Sequence, residues 1–174
     1  MSQHVDEIMF NLNKEQKQFT SLLHSGLTWQ TQWTKLLKTI IKDIGEKNGF
    51  FVNTGGLPEL EEGEWMFDLV WSKLHLNGDK TTIIDIPLVL ESEISKISFG
   101  GFKEDFDKLL VATNSLKVFV TRTIKQQETL LKECIEYAQD AVNSNININS
   151  KNGVYLIIWK EEKGFTLNYI KSHK

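Results

Sequence analysis

Residues 64–93, EWMFDLVWSKLHLNGDKTTIIDIPLVLESE, decide the fold. Two apolar, strand-forming runs, Glu64–Trp71 and a second within Thr81–Glu93, flank Asn77-Gly78-Asp79. That spacing predicts two adjacent strands joined by a turn. Nothing helical fits between residues 50 and 93, which argues against a continuous doubly wound parallel sheet. Pro87 falls near the start of the later strand, where a missing amide is tolerated. The polar residues inside these runs stand out. Asp68 lies among Met66, Phe67, Leu69 and Val70, and aspartate is disfavoured inside strands unless it is solvated or partnered. Glu91 and Glu93 end the later run. Alternation puts them on one face, roughly 6.6 Å apart, with Leu88, Leu90 and Ser92 opposite.

Upstream, Trp33, Leu36, Leu37, Ile40, Ile41 and Ile44 share one helical stripe. Lys35, Lys38, Lys42 and Asp43 occupy the other side, and Asn48-Gly49 supplies the stop. Phe50–Asn53 reads as a short strand, broken by Gly55-Gly56 and Pro58. Residues 1–26 form a polar, helix-prone leader with an imperfect apolar stripe, either a packed arm or an interaction arm. Downstream, Gly100-Gly101 precedes a helix over Phe102–Asn114, and Leu116–Arg122 is a buried-type strand. A long helix covers about Ile124–Val142, an Asn-rich connection follows, and Val154–Trp159 with Phe165–Ile170 closes the chain as a hairpin.

The predicted order is α-β-β-β-α-β-α-β-β. It gives an α/β fold with a mixed central sheet flanked by helices. One domain over 1–174 is expected, with an arm at 1–26, a core at 27–122, and a C-terminal helix plus hairpin at 123–174.

Composition narrows the function classes. The chain has 174 residues, 40% of them hydrophobic and 25% charged, which is globular composition. No run reaches the ~18 apolar residues of a membrane span, and the N-terminus lacks the pattern of a signal peptide. A single cysteine, Cys134, rules out an intramolecular disulfide framework. A cytoplasmic protein without membrane association is expected. The net charge of −3 does not suggest a protein that coats DNA. No glycine-rich phosphate loop follows a strand. The four histidines, His4, His24, His75 and His173, form no pair at metal-ligand spacing.

Antiparallel pairing of the two strands places Asp68 beside Glu91 on one face. Carboxylates gathered at a sheet edge repel one another unless a cation neutralises them, and a hard oxygen site suits Mg²⁺ or Mn²⁺. Such an ion can activate water and polarise a phosphoryl oxygen.

The element order, with Asp68 followed by Glu91-Ser92-Glu93, resembles the PD-(D/E)xK nuclease superfamily over about residues 30–122. The resemblance implies a restriction-endonuclease-like fold and a Mg²⁺- or Mn²⁺-dependent nuclease acting on nucleic acid, DNA before RNA. It implies Asp68 and Glu91 as metal ligands, and Glu93 as a third catalytic carboxylate that orients or deprotonates the attacking water or binds a second metal. Two departures stand in the sequence. Phe67 replaces the proline before the aspartate, and Glu93 occupies the position usual for lysine, as in some restriction endonucleases. Other members carry that lysine on the following helix. There Lys108 lies about 200° from Phe106 and is expected to face solvent, whereas Lys103 is nearer the stripe's edge. A homodimer would suit cleavage of both strands. The rival expectation is a catalytically inactive module with this fold that binds nucleic acid or a protein.

Other features have simpler readings. Glu59, Glu61, Glu62 and Glu64 read as a solvated loop. Trp65 and Trp71 fall opposite Asp68, where a core packs. Trp29 and Trp159 are structural before they are base-stacking residues. Cys134 reads as a small buried hydrophobe. Lys96, Lys103, Lys108, Lys117 and Arg122 form either a phosphate-binding rim or an ordinary solvated side.

Overall fold

A computed structural model describes residues 2–55, 66–95, 97–113, 115–148 and 152–173. Six strands form one sheet in sequence order: β1 (Phe51–Thr54), β2 (Leu69–Asn77), β3 (Lys80–Glu93), β4 (Leu116–Thr123), β5 (Val154–Lys160) and β6 (Gly164–Ile170). The first three pair antiparallel, β3–β4 and β4–β5 pair parallel, and β6 returns antiparallel. The sheet is therefore mixed, as expected, because a tight turn joins β2 to β3 and helices carry the chain across the two parallel connections.

The α3 helix (Trp29–Lys47) packs on one face with α1 (Gln3–Lys14) and α2 (Gln16–Leu22). Trp33, Leu37, Ile41 and Ile44 bury against Leu69, Trp71, Leu88, Leu90, Val118 and Val120. On the other face, Phe102, Phe106 and Leu109 of α4 (Phe99–Val111) and Leu131, Cys134 and Ala138 of α5 (Glu128–Ser144) cover Val70, Val89, Phe119 and Leu156. The leader is a packed element: Val5, Ile8, Leu12 and Phe19 are fully buried. Its stripe looked imperfect because it is split over two helices that meet at Glu15.

Several boundaries differ from expectation. The predicted strand Glu64–Trp71 begins at Leu69 and runs on to Asn77, while residues 56–65, including Trp65 and the four acids, lie outside the described residues. Gly78-Asp79 closes the hairpin across the Asn77–Lys80 pair, with Gly78 at φ +60° as such a tight turn demands. Pro87 is well inside β3. It is tolerated because the register with β2 shifts there, between Trp71–Leu88 and Lys73–Asp85, leaving its position outside the ladder. The α4 helix starts three residues early because the Ser98 side chain caps it, accepting from the Gly101 amide at 3.1 Å.

Candidate functional site

Glu91, Ser92 and Glu93 end β3 beyond the reach of β2. The β2 strand begins at Leu69, opposite Leu90, so these three residues keep ladder partners only on β4, in the order Phe119, Val120 and Thr121. Asp68, the residue before β2, fills the gap with its side chain. Its Oδ2 accepts from the Ser92 amide and the Ser92 hydroxyl, both at 2.8 Å. Its Oδ1 accepts from Lys38 Nζ at 2.9 Å, and its backbone carbonyl accepts from the Gly55 amide at 2.9 Å.

Lys38 is the residue the helical pattern misplaced. It was expected on the polar side of its helix, yet it is 3% exposed, with its ammonium divided between Asp68 and the Gly55 carbonyl, the latter at 2.7 Å. A long stem lets lysine start at the border of an apolar stripe and deliver its charge to a buried acceptor. An acid inside the following strand run was the only signal that a buried cation was needed.

The predicted common face for Asp68 and Glu91 requires a correction. Strict alternation fails before β2, because Phe67 and Val70 join the α4–α5 side while Leu69 joins the α3 side. The Asp68 carboxylate consequently meets Lys38 and Ser92 on the α3 side. Glu91 neighbours Phe119 and faces α4. The two acids approach the end of the sheet from its two sides, and each still lies in the other's field.

Glu91 is 4% exposed and its Oε1 is buried without a hydrogen-bond partner. Burial first, and the Asp68 charge second, push its carboxyl up to about 8, against a smaller opposing effect of Lys108. Lys108 therefore does not face open solvent. It is half-buried and paired with Asp105 at 2.8 Å, and both charges act on Glu91. Although far round the helix from Phe106, Lys108 is only about 100° from Leu109, and its stem spans the difference. Glu93 lies along the same side of β3 but is engaged locally, accepting from the Ser95 amide at 3.1 Å and hydroxyl at 2.5 Å.

The other candidate cations separate into distinct environments. Lys103 is exposed, paired with Asp107 at 2.6 Å and set over the Tyr137 ring. Lys117 is fully buried, and Lys96 lies outside the described residues. Arg122 is half-buried between Trp29 and Trp159. Cys134 is buried, which pushes its thiol up to about 11 and suits packing better than nucleophilic chemistry.

Among the described residues, no group of three or more His, Cys, Asp and Glu side chains could hold a metal ion, and no helix is long and apolar enough to cross a membrane. Two clefts, one between α1 and α3 and one beside Phe67, Ile86 and Ala112, include none of Asp68, Glu91 and Glu93 in their walls. Comparison with known proteins gives no match: no family model, no curated protein and no solved structure is similar to the chain.

Proposed function

We propose that the protein is a divalent-metal-dependent nuclease of the restriction-endonuclease-like class that hydrolyses phosphodiester bonds, with DNA as the preferred substrate. The observation that carries this reading is the buried, unpartnered Oε1 of Glu91 beside Asp68 and Lys108. A carboxyl held this far from its ordinary range, at the carboxyl ends of parallel strands, is unfavourable for stability and typical of a site that expects a cation. The order of helix, three-stranded meander, helix and parallel strand supports the same reading.

The donor set fits a Mg²⁺ or Mn²⁺ ion that keeps most of its waters. Such ions need only one or two carboxylates from the protein. Glu91 supplies a free oxygen. Asp68 already accepts three hydrogen bonds, and of the roughly four acceptor positions on a carboxylate one remains, on Oδ1. When bound, the cation supplies Lewis-acid polarisation of the phosphoryl oxygen and a more acidic water. Lys38 and Ser92 fix the Asp68 carboxylate. Lys108 sets a positive charge on the α4 side, where it can balance charge that builds on the phosphate. Glu93 is held by Ser95 through Oε1 alone, so its Oε2 is the oxygen that would orient water, while Lys108 is the candidate for the charge left vacant by the motif lysine.

A second reading, a catalytically inactive module of the same fold that binds nucleic acid or protein, is favoured by one observation. Asp68 is satisfied from within the chain and does not need an ion. Calorimetric titration of Mn²⁺ into the wild type and Asp68→Asn decides between them. Binding that is lost in the variant, with Mg²⁺-dependent cleavage of a DNA panel abolished by Glu91→Gln, supports the nuclease. Equal or absent binding in both proteins moves the assignment to the module.

A further inference from the structure

Arg122 is the chain's one arginine among 20 basic residues. It sits at the carboxyl end of β4, opposite Trp159 of β5, and on the face shared by Ser92 and Val120. With Ser92 opposite Val120, the usual strand rise and spacing put the Arg122 Cα roughly 8 Å from that of Ser92, whose hydroxyl holds Asp68. The guanidinium lies 4.6 Å from the centre of the half-buried Trp29 ring and 6.0 Å from that of the buried Trp159 ring.

Among the described residues this side chain is held in place without a counter-ion. Among the described residues no carboxylate comes within 4 Å of it, whereas Lys38, Lys47, Lys73, Lys103 and Lys108 each have one. Glu161 acts on it only through the field, and that carboxylate is 3.9 Å from His24. Arg122 Nε and Trp159 Nε1 are both buried donors with no acceptor. A half-buried guanidinium stacked on indole, with its buried Nε and the neighbouring Trp159 Nε1 both without an acceptor among the described residues, is an arrangement that an anion from outside would complete. Its planar fork matches phosphate oxygens in a way that a lysine would not.

The geometry points to Arg122, stacked on Trp29, as the residue that holds a phosphodiester group of a nucleic-acid strand next to the Asp68–Glu91 end of the sheet. This subsite deepens the nuclease reading and rests on it for the identity of the neighbouring position. It fixes the side from which the strand enters: along the α3 face, past the start of α3, with the negatively charged backbone kept on the arginine while the adjacent linkage reaches Asp68.

The test is equilibrium binding of a fluorescent single-stranded oligonucleotide in EDTA across a salt series, with wild type, Arg122→Gln, Arg122→Lys and Asp68→Asn. Loss of one phosphate contact should weaken binding by Arg122→Gln about tenfold and lower the salt slope by about 0.7. Arg122→Lys should keep the slope and lose several-fold in affinity, because the charge remains while the fork and the stacking go. Asp68→Asn removes a negative charge beside the strand and should bind at least as tightly as the wild type; weaker binding by this variant at unchanged salt slope would place the strand elsewhere. Unchanged affinity and slope in Arg122→Gln, or a wild type that binds no oligonucleotide, overturns the subsite. If Arg122→Gln melts early, Arg122→Lys decides alone, and wild-type affinity in that variant overturns the proposal. Inorganic phosphate should compete only at millimolar concentration; competition as tight as that of the oligonucleotide would make this a small-anion site and overturn the strand assignment. Arg122-dependent binding without any Mn²⁺ site keeps the subsite and removes the nuclease, whereas Mn²⁺-dependent cleavage with oligonucleotide affinity and salt slope unaffected by Arg122→Gln does the opposite.

Discussion

Asp68 Oδ2 takes both hydrogen bonds that Ser92 can offer, from its amide and from its hydroxyl, at 2.8 Å each. The amide belongs to a ladder position that a longer β2 would have filled. A side chain has replaced a strand at this point, and the replacement is charged. The negative charge brings in Lys38 from α3, so a single carboxylate joins the helix, the start of β2 and the end of β3. Any chemistry at Asp68 is therefore coupled to the integrity of the fold.

That coupling predicts a graded loss of stability. Ser92→Ala removes one hydrogen bond to a charged acceptor and should cost about 1–2 kcal/mol. Asp68→Ala leaves the almost fully buried Lys38 without its partner and should cost about 3 kcal/mol, as the breaking of a buried pair does. Adding Lys38→Met to Asp68→Ala should recover part of that loss. Urea denaturation of these proteins, with Lys38→Met alone added to complete the cycle, measures the coupling. Additive losses would show that Lys38 and Asp68 are not coupled.

Glu91 gives a pH-dependent prediction. Its carboxyl is raised from 4.5 to about 8 in the folded protein, so between those values the folded state holds a proton that the unfolded state has released. In EDTA, the contribution of Glu91 to stability is fully present below pH 4.5 and is lost as pH rises through 8. Glu91→Gln should flatten this fall. Under the metal reading, Mn²⁺ binding at pH 6–7 should release about one proton, which calorimetry in two buffers of different ionisation enthalpy detects. A flat profile in the wild type would show that Glu91 is already ionised in the fold.

The element order was legible because it is written in apolar periodicity. The stripe from Trp33 to Ile44 and the runs around Leu90 and Val118 could hardly fold otherwise, and all three bury as read. The candidate site was legible only as a set of residues near one another. Asp68, Glu91 and Glu93 do gather at one end of the sheet, but their directions depend on where β2 begins, and the run EWMFDLVW carries no mark of that point. Period-two counting through Asp68 assigned it to the wrong side. Lys38, Lys108 and Arg122 were hidden for a related reason. Long cationic side chains report the position of their Cα in the sequence, whereas their chemistry happens at the far end of the stem.

Close packing of α3 on β2 makes Gly45 irreplaceable. A Cβ there would lie 2.6 Å from Trp71 Nε1 and 2.7 Å from Val52 Cγ2, in the middle of the α3–sheet contact. Alanine normally favours a helix interior over glycine by roughly 1 kcal/mol. Here overpacking should outweigh that gain, and Gly45→Ala should destabilise by about 1–3 kcal/mol. A urea midpoint equal to or above that of the wild type would mean that Trp71 can move aside at little cost.

Lys117 should oppose Glu91 at higher pH. It is fully buried on β4, its ammonium donates among the described residues to the Ser115 and Asn152 carbonyls at 3.2 and 3.4 Å, and burial lowers it from 10.5 to about 8. Below pH 8 both the folded and the unfolded chain carry this proton. Between pH 8 and 10.5 the unfolded chain holds one proton more, so stability rises with pH across that window. The interval corresponds to ~3 kcal/mol, an upper figure because the two carbonyls compensate in part. Lys117→Met removes the buried charge while keeping most of the stem's volume. It should raise stability at pH 7 by up to about 3 kcal/mol and abolish the rise above pH 8, as read from urea melts at pH 7, 9 and 10. A variant less stable than the wild type at pH 7, with the rise above pH 8 retained, would show that the ammonium is well solvated by its carbonyls and that the rise comes from other groups.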